Sequence, residues 1–218
     1  MKAALGVLRQ IRPLLPMVVD FGGLTPASHR DFLERFEPLS YVLSAGPPDE
    51  HVAQLVALIE AGIVRIVGPS ARFERVGFSW VVTSPAVAAS ASRAGVLIEA
   101  RVPPTDISSS LSPLFRQLLA DGMISEYVNL DSTTGEHFAT GGLAVTRAPF
   151  RVVDGRGRAD PDMYAIGVAA DRTRWFTQVG TGRPGQDSPF CRDADAIAAD
   201  ILGSGRAPGG SRTRYEPL

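Results

Sequence analysis

The chain has 218 residues, 22 basic against 23 acidic side chains for a formal net charge of −1, and 44% hydrophobic residues. Near-neutrality excludes the polyelectrolyte footprint of a non-specific nucleic-acid binder, which must neutralise several phosphates at once, and the apolar content excludes wholesale disorder. One cysteine, Cys191, excludes an internal disulfide and a cysteine-based zinc centre, and His29, His51 and His137 fall at no metal-motif spacing, so no metal is expected.

Leu5, Leu8, Ile11 and Leu15 give residues 3 to 12 a helical apolar stripe that Pro13 and Pro16 are expected to end, before a loop around Gly22-Gly23. Arg9 and Arg12 break the same run before it reaches signal-peptide length, and nowhere do about 18 apolar residues follow one another. The expectation is a cytoplasmic protein with no membrane partner. Thr25-Pro26, a cap followed by proline, opens a helix to about Phe36. His51 to Ala61 presents Val52, Leu55, Val56 and Ile59 on one face and ends at Gly62. Ile63 to Val67 then reads as a strand halted by Gly68-Pro69.

From residue 72 the period changes to two. Residues 72 to 83 predict a hairpin turning near Gly77, and Ser84 to Ala94 a loop with one poor strand. Val96-Leu97-Ile98 is a short apolar run of the kind buried on both faces of a parallel sheet. Ser112-Pro113 start a helix ending at Gly122. Strands are expected at His137 to Thr140, Leu143 to Thr146, Phe150 to Val153 and Met163 to Ile166, with a turn at Asp154-Gly155-Arg156-Gly157. Trp175 to Val179 is strand-like, and a last helix covers about Asp187 to Leu202. The glycine- and arginine-rich residues 203 to 218 read as a flexible tail with no strand.

Asp20-Phe21-Gly22 and His29-Arg30-Asp31 spell two protein-kinase triplets in reversed order, without the upstream glycine loop and lysine strand, and are read as coincidence. Gly180-Thr181-Gly182-Arg183-Pro184-Gly185 matches G-x-G-x-x-G between a strand-like stretch and a helix. No second strand carries the acid such a site needs about 20 residues on. What remains is glycine-rich backbone leading to a helix N-terminus that can face an anionic or electron-rich ligand edge. Cys191 reads as a buried packing residue, and no Ser, Cys or His stands out as catalytic. Trp175 with Arg172, Arg174 and Phe176 either stacks on a planar ligand or lies at the surface or a subunit contact.

Phe138-Ala139-Thr140-Gly141-Gly142-Leu143-Ala144-Val145-Thr146, Met163-Tyr164-Ala165-Ile166-Gly167, Thr173-Arg174-Trp175-Phe176-Thr177-Gln178-Val179-Gly180 and Arg192-Asp193-Ala194-Asp195, with Asp20-Phe21-Gly22-Gly23-Leu24-Thr25-Pro26 and Glu60-Ala61-Gly62-Ile63, resemble the C-terminal half of the actinobacterial FAD/NAD(P)-binding protein family, relatives of two-dinucleotide-binding flavoproteins and flavin-dependent hydroxylases. The resemblance spans about residues 1 to 202. It implies an α/β chain: a partial FAD/NAD(P)-binding Rossmann-like fold with an antiparallel β-meander and flanking helices. It also implies FAD as cofactor, NAD(P)H as reductant and a small-molecule substrate. Gly141, Gly142, Gly167, Trp175, Gly180, Gly182 and Gly185 are the expected cofactor-binding residues. Val168 stands where the family places an acid after the Gly167 strand, with Asp171 three residues on as the substitute. The family's opening G-x-G-x-x-G unit has no counterpart here. The expectation is therefore a protein inactive alone, completed by an N-terminal half or an oligomer partner; the other reading is a non-catalytic remnant or protein-binding module.

Overall fold

The computed structural model describes residues 6–7, 10–44, 46–100, 105–177, 188–203 and 213–214, divided between two units: Met1–Ala45 with Pro104–Leu218, and Gly46–Pro103. The fold is α/β, as expected, and every ladder between its described strands is antiparallel. No parallel sheet receives Val96-Leu97-Ile98, which lie in irregular chain with Val96 and Ile98 largely exposed. Ile63 to Val67 likewise forms no strand. Both runs are rich in β-branched residues, but strand propensity needs a neighbouring edge to pair with, and among the described residues no strand pairs with either.

In the first unit, proline starts turns rather than ending them. Pro13 sits in the 3₁₀ turn Arg12–Leu14 and Pro16 opens helix α1, Pro16–Val19, positions where its missing N–H is unneeded. A further 3₁₀ turn, Asp20–Gly22, follows, with Phe21 and Gly22 at positive φ. A Cβ on Gly22 would lie 2.8 Å from Asn129 Oδ1 and 2.9 Å from the Tyr127 hydroxyl, so this glycine allows the helical layer to approach the sheet. Helix α2, Pro26–Asp31, starts at Thr25, whose hydroxyl accepts from the Ser28 N–H at 3.4 Å. It does not stop at Phe36: a π stretch, Phe32–Phe36, carries it into α3, Glu37–Ser44. Pro26, His29, Phe32, Leu33, Glu37 and Ser40 are buried along it.

The second unit holds α4, Asp49–Glu60, ended by Gly62 at φ +70, and a meander of β1, Arg72–Val76, β2, Ser79–Thr83, and β3, Ser92–Ala94. The hairpin turns at Gly77 (φ +63), as its sequence predicts. Ser84 and Ser90 tie the meander to the chain before it: Ser84 donates its N–H to Ser90 Oγ at 2.7 Å and its hydroxyl to the Pro69 carbonyl.

The first unit resumes with α5, Pro113–Ala120, ended by Gly122 at φ +66. Strand β4, Glu126–Leu130, pairs with β5, His137–Leu143, and β6, Arg151–Val153, with β7, Arg158–Tyr164. Between β6 and β7 the buried Asp154 accepts the N–H groups of Arg156 and Arg158 at 2.9 Å each and pairs with the Arg158 guanidinium, which fixes the expected turn. Ile107, Ile124, Leu143, Val145, Val152 and Ala170 form the core, covered by Phe115, Leu118 and Leu119 of α5. Helix α6, Pro189–Gly203, is anchored by Asp200, which takes a 2.6 Å bond from the Tyr164 hydroxyl and pairs with Arg151. Cys191 on this helix is exposed, not buried. Strand β8, Thr213–Arg214, adds to β7 where a strandless tail was expected. Among the described residues no helix is long and apolar enough to cross a membrane.

Candidate functional site

The register between β4 and β5 slips: Val128 faces Ala139, whereas Glu126 faces Leu143. The extra residues fold out as a bulge around Thr140-Gly141-Gly142, with Gly141 at φ +84. Its polar groups are taken up at once. The Gly141 N–H donates to Glu126 Oε1 at 2.6 Å and its carbonyl accepts from Ile107 at 2.8 Å, while Gly142 donates to the Thr140 hydroxyl. A Cβ on Gly142 would meet the Asp171 carbonyl at 2.3 Å and the Thr173 nitrogen at 2.7 Å. Both glycines thus serve contact with the chain's own segment 167–177.

That segment opens with a 3₁₀ turn, Gly167–Ala170, and continues as turns through Thr177; the strand-like reading of Trp175 to Val179 does not hold for its described part. Arg172 and Phe176 take positive φ, and a side chain on every flank pins the path. Asp171 is buried and its Oδ1 accepts the Thr177 hydroxyl at 3.1 Å and the Thr177 N–H at 3.4 Å. Thr173 donates to the Leu143 carbonyl, and Arg172 to that of Thr140. Arg174 lies 4.2 Å from the Phe150 ring centre and pairs with Asp193 of α6 at 2.6 Å. The Trp175 N–H donates to Asp20 Oδ1 at 2.8 Å.

Trp175 is only 4% exposed, so its indole is neither a surface contact nor an open stacking platform. It packs edge-on to Phe32 and tilted on Phe176, in a cluster with Val19 and Leu33. Its Nε1 has no hydrogen-bond partner among the described residues, and neither has Nε2 of the fully buried His29. Asn129 donates one amide hydrogen to the Leu24 carbonyl and faces His29 Nδ1 at 3.2 Å. With Nδ1 accepting, the imidazole proton sits on Nε2. Burial pushes His29 down to about 4, the Arg172 carbonyl opposing without reaching hydrogen-bond geometry. Burial likewise pushes Glu37 up to about 7, helped by Asp171 and opposed by Arg172 and the Tyr41 hydroxyl. It holds Asp20 at about 6 against the Trp175 N–H and Arg174.

Gly167 differs from Gly141 and Gly142. At φ +80 the nearest atom among the described residues to where its Cβ would stand is the Thr177 carbonyl oxygen, at 4.0 Å. The neighbouring Val168 is half exposed. Gly142, Gly167 and Trp175 therefore border or belong to one segment, whereas Gly180, Gly182 and Gly185 lie outside the described residues. The chemistry of this region depends on residues to which the sequence assigned no role: Asp20 appeared in a kinase-like triplet and in the family-resemblance block, His29 in a kinase-like triplet and in the rejected metal spacing, and Glu37, Tyr41 and Asn129 not at all. No cluster of His, Cys, Asp and Glu among the described residues has the arrangement of a metal site.

No protein-family model matches the sequence. The chain is similar to the L-aspartate N-monooxygenase (nitrosuccinate-forming) of Streptomyces cremeus, 44% identical over 200 residues that make up 90% of this chain and 30% of that enzyme. The enzyme of the same name from Streptomyces davaonensis is 42% identical over 207 residues, 94% of this chain and 31% of the relative. The nitrosuccinic acid synthase of Aspergillus oryzae is 38% identical over 203 residues, 93% and 30%. The chain spans about 30% of the length of the curated relatives it matches. At the level of reaction class, monooxygenases agree with the hydroxylase-like resemblance in the sequence.

Proposed function

We propose that this chain is the cofactor-facing part of an FAD- and NAD(P)H-dependent N-monooxygenase that oxidises the amino group of a small amino acid, with L-aspartate as the first substrate to test. The similarity to N-monooxygenases supports the reaction class. One structural observation supports the cofactor: among the described residues no atom comes closer than the Thr177 carbonyl, at 4.0 Å, to where a Cβ on Gly167 would stand, at the start of the pinned segment 167–177, and Gly180, Gly182 and Gly185 follow that segment in sequence. A flat heterocycle can approach such backbone closely, as it cannot approach an ordinary side chain. Gly141 and Gly142 support the site indirectly, by letting the bulge close on Asp171 and Thr173.

When bound, FAD supplies the two-electron chemistry that activates dioxygen, with NAD(P)H as the source of the electrons. This chain's residues orient and enclose. Asp171 fixes Thr177 through two hydrogen bonds, and so fixes the carbonyl that faces Gly167. Asp193 and Asp20 hold Arg174 and the Trp175 backbone from two sides, so the geometry is set before any ligand arrives. Trp175, Phe32 and Phe176 exclude water from one flank.

The test is a chimera in which this chain replaces the matching 200 residues of the Streptomyces cremeus enzyme. Retained flavin absorbance, NAD(P)H oxidation and nitrosuccinate formed from L-aspartate are the expected results. A folded chimera without flavin overturns the cofactor reading. One that keeps flavin and oxidises NAD(P)H, but leaves aspartate and other small amino acids untouched, overturns the substrate class.

A further inference from the structure

Among its described residues the unit Gly46–Pro103 has no core of its own. None of its described hydrophobic side chains is buried, and Ser84 is its one buried residue. The helical stripe of α4 formed by Val52, Leu55, Val56 and Ile59 is the kind of face that sequence reading assigns to a protein interior, yet all four are exposed. The meander is less one-sided. Cross-strand register places Phe73, Trp80, Val82 and Ala94 on one face together with Arg75 and Ser92, with Phe73 exposed and Trp80 and Val82 half-buried, while Arg72, Glu74, Val76, Val81 and Arg93 fall on the other. Three strands and a helix in so short a unit become stable by packing apolar faces together. Among its own described residues the unit leaves the α4 stripe exposed and the Phe73–Trp80–Val82 face of the meander only partly buried.

The relatives indicate what covers them. A match over at least 90% of this chain has to include residues 46–103, so the longer enzymes retain this unit. More than two thirds of each relative lies outside the match. We infer that the apolar faces of α4 and of the β1–β3 meander are a docking surface for the polypeptide that makes up the rest of such an N-monooxygenase, and that this contact completes the unit's core. The inference rests on the likeness to the longer enzymes, not on the chemistry proposed above.

Carbene footprinting of this full chain and of the intact Streptomyces cremeus enzyme tests it, with light scattering of this chain at the same concentration. Expected are a monomeric chain labelled heavily at residues 49–60 and 72–83, and at least tenfold less labelling of the matching residues in the intact enzyme. Equal labelling in the two overturns the inference. So does a dimer of this chain that protects α4 and that Leu55→Glu dissociates, since the face then belongs to a second copy. The footprint reads packing and the chimera reads flavin and product, so the two proposals fail separately.

Discussion

Trp175 donates its backbone N–H to the carboxylate of Asp20 at 2.8 Å, joining residues 155 positions apart. Burial makes Asp20 hold its proton to about pH 6, against 3.8 when exposed. The folded state therefore binds the extra proton between those values, and this group's contribution to stability falls as pH rises from about 4 to 6. Asp20→Asn keeps an acceptor for Trp175 without the charge, so its melting temperature should vary less with pH over that window than the wild type's. Asp20→Ala orphans a buried N–H and should cost about 1–3 kcal/mol at every pH, measured by urea denaturation. Equal stability of the Asn and Ala variants at pH 5 would falsify this role.

Glu37 and His29 respond to pH with opposite signs. Glu37 is raised from 4.5 to about 7, so it destabilises progressively as pH rises through that range. Glu37→Gln should melt a few degrees higher than wild type at pH 8 and no differently at pH 4. His29 is lowered from 6.5 to about 4, so its contribution is full above pH 6.5 and is lost as pH falls toward 4. His29→Leu, which removes the acceptor facing Asn129, should cost about 1–2 kcal/mol at pH 7.5 and less at pH 4.5. A penalty that is unchanged or larger in acid would show that His29 is not held neutral.

Gly142→Ala drives a methyl group into the Asp171 carbonyl and the Thr173 nitrogen, both backbone atoms that cannot swing aside. A loss of about 2–4 kcal/mol is expected. Gly95→Ala, with nothing within 4 Å of its Cβ and no positive φ, should be neutral. Chemical denaturation of the pair separates close approach from a general intolerance of glycine replacement.

Gly167 and Gly157 make a matched comparison for the cofactor. Both have positive φ, +80 and +73, and among the described residues neither has an atom closer than 4.0 Å to where a Cβ would stand, so alanine strains each backbone alike by about 1 kcal/mol. In the chimera, Gly167→Ala should weaken flavin retention at least tenfold, read by release on dilution, while Gly157→Ala leaves it unchanged. Equal behaviour of the two variants removes Gly167 from the cofactor site.

Local chemistry was legible where a single residue decides the backbone. Thr25 starts a helix, Gly62 and Gly122 end helices, and Gly77 turns a hairpin, each for reasons contained within a few residues. Strand β4 escaped because its polarity is inverted: Tyr127 and Asn129 face inward while Val128 and Leu130 are exposed, so alternation marks the wrong face. Ile63 to Val67 and Val96 to Ile98 misled for the complementary reason, since among the described residues no strand pairs with either run. The buried polar groups were the least readable. His29 and Asn129 are 100 positions apart, and no periodicity announces that a histidine will lose all its water to a strand so distant.

The division of the first unit into two stretches of chain, on either side of residues 46–103, sets an order of events at the ribosome. Asp20, His29 and Glu37 leave the exit tunnel well before Asn129 and the segment 171–177 exist to enclose them. At about 5–20 residues per second the interval is on the order of ten seconds. During that time the partners that enclose His29 and Asp20 in the folded chain, Asn129 and Trp175, are still missing. The Asp20–Trp175 bond then forms after the first helices, and it commits the helical layer only when the 171–177 segment has arrived to receive it.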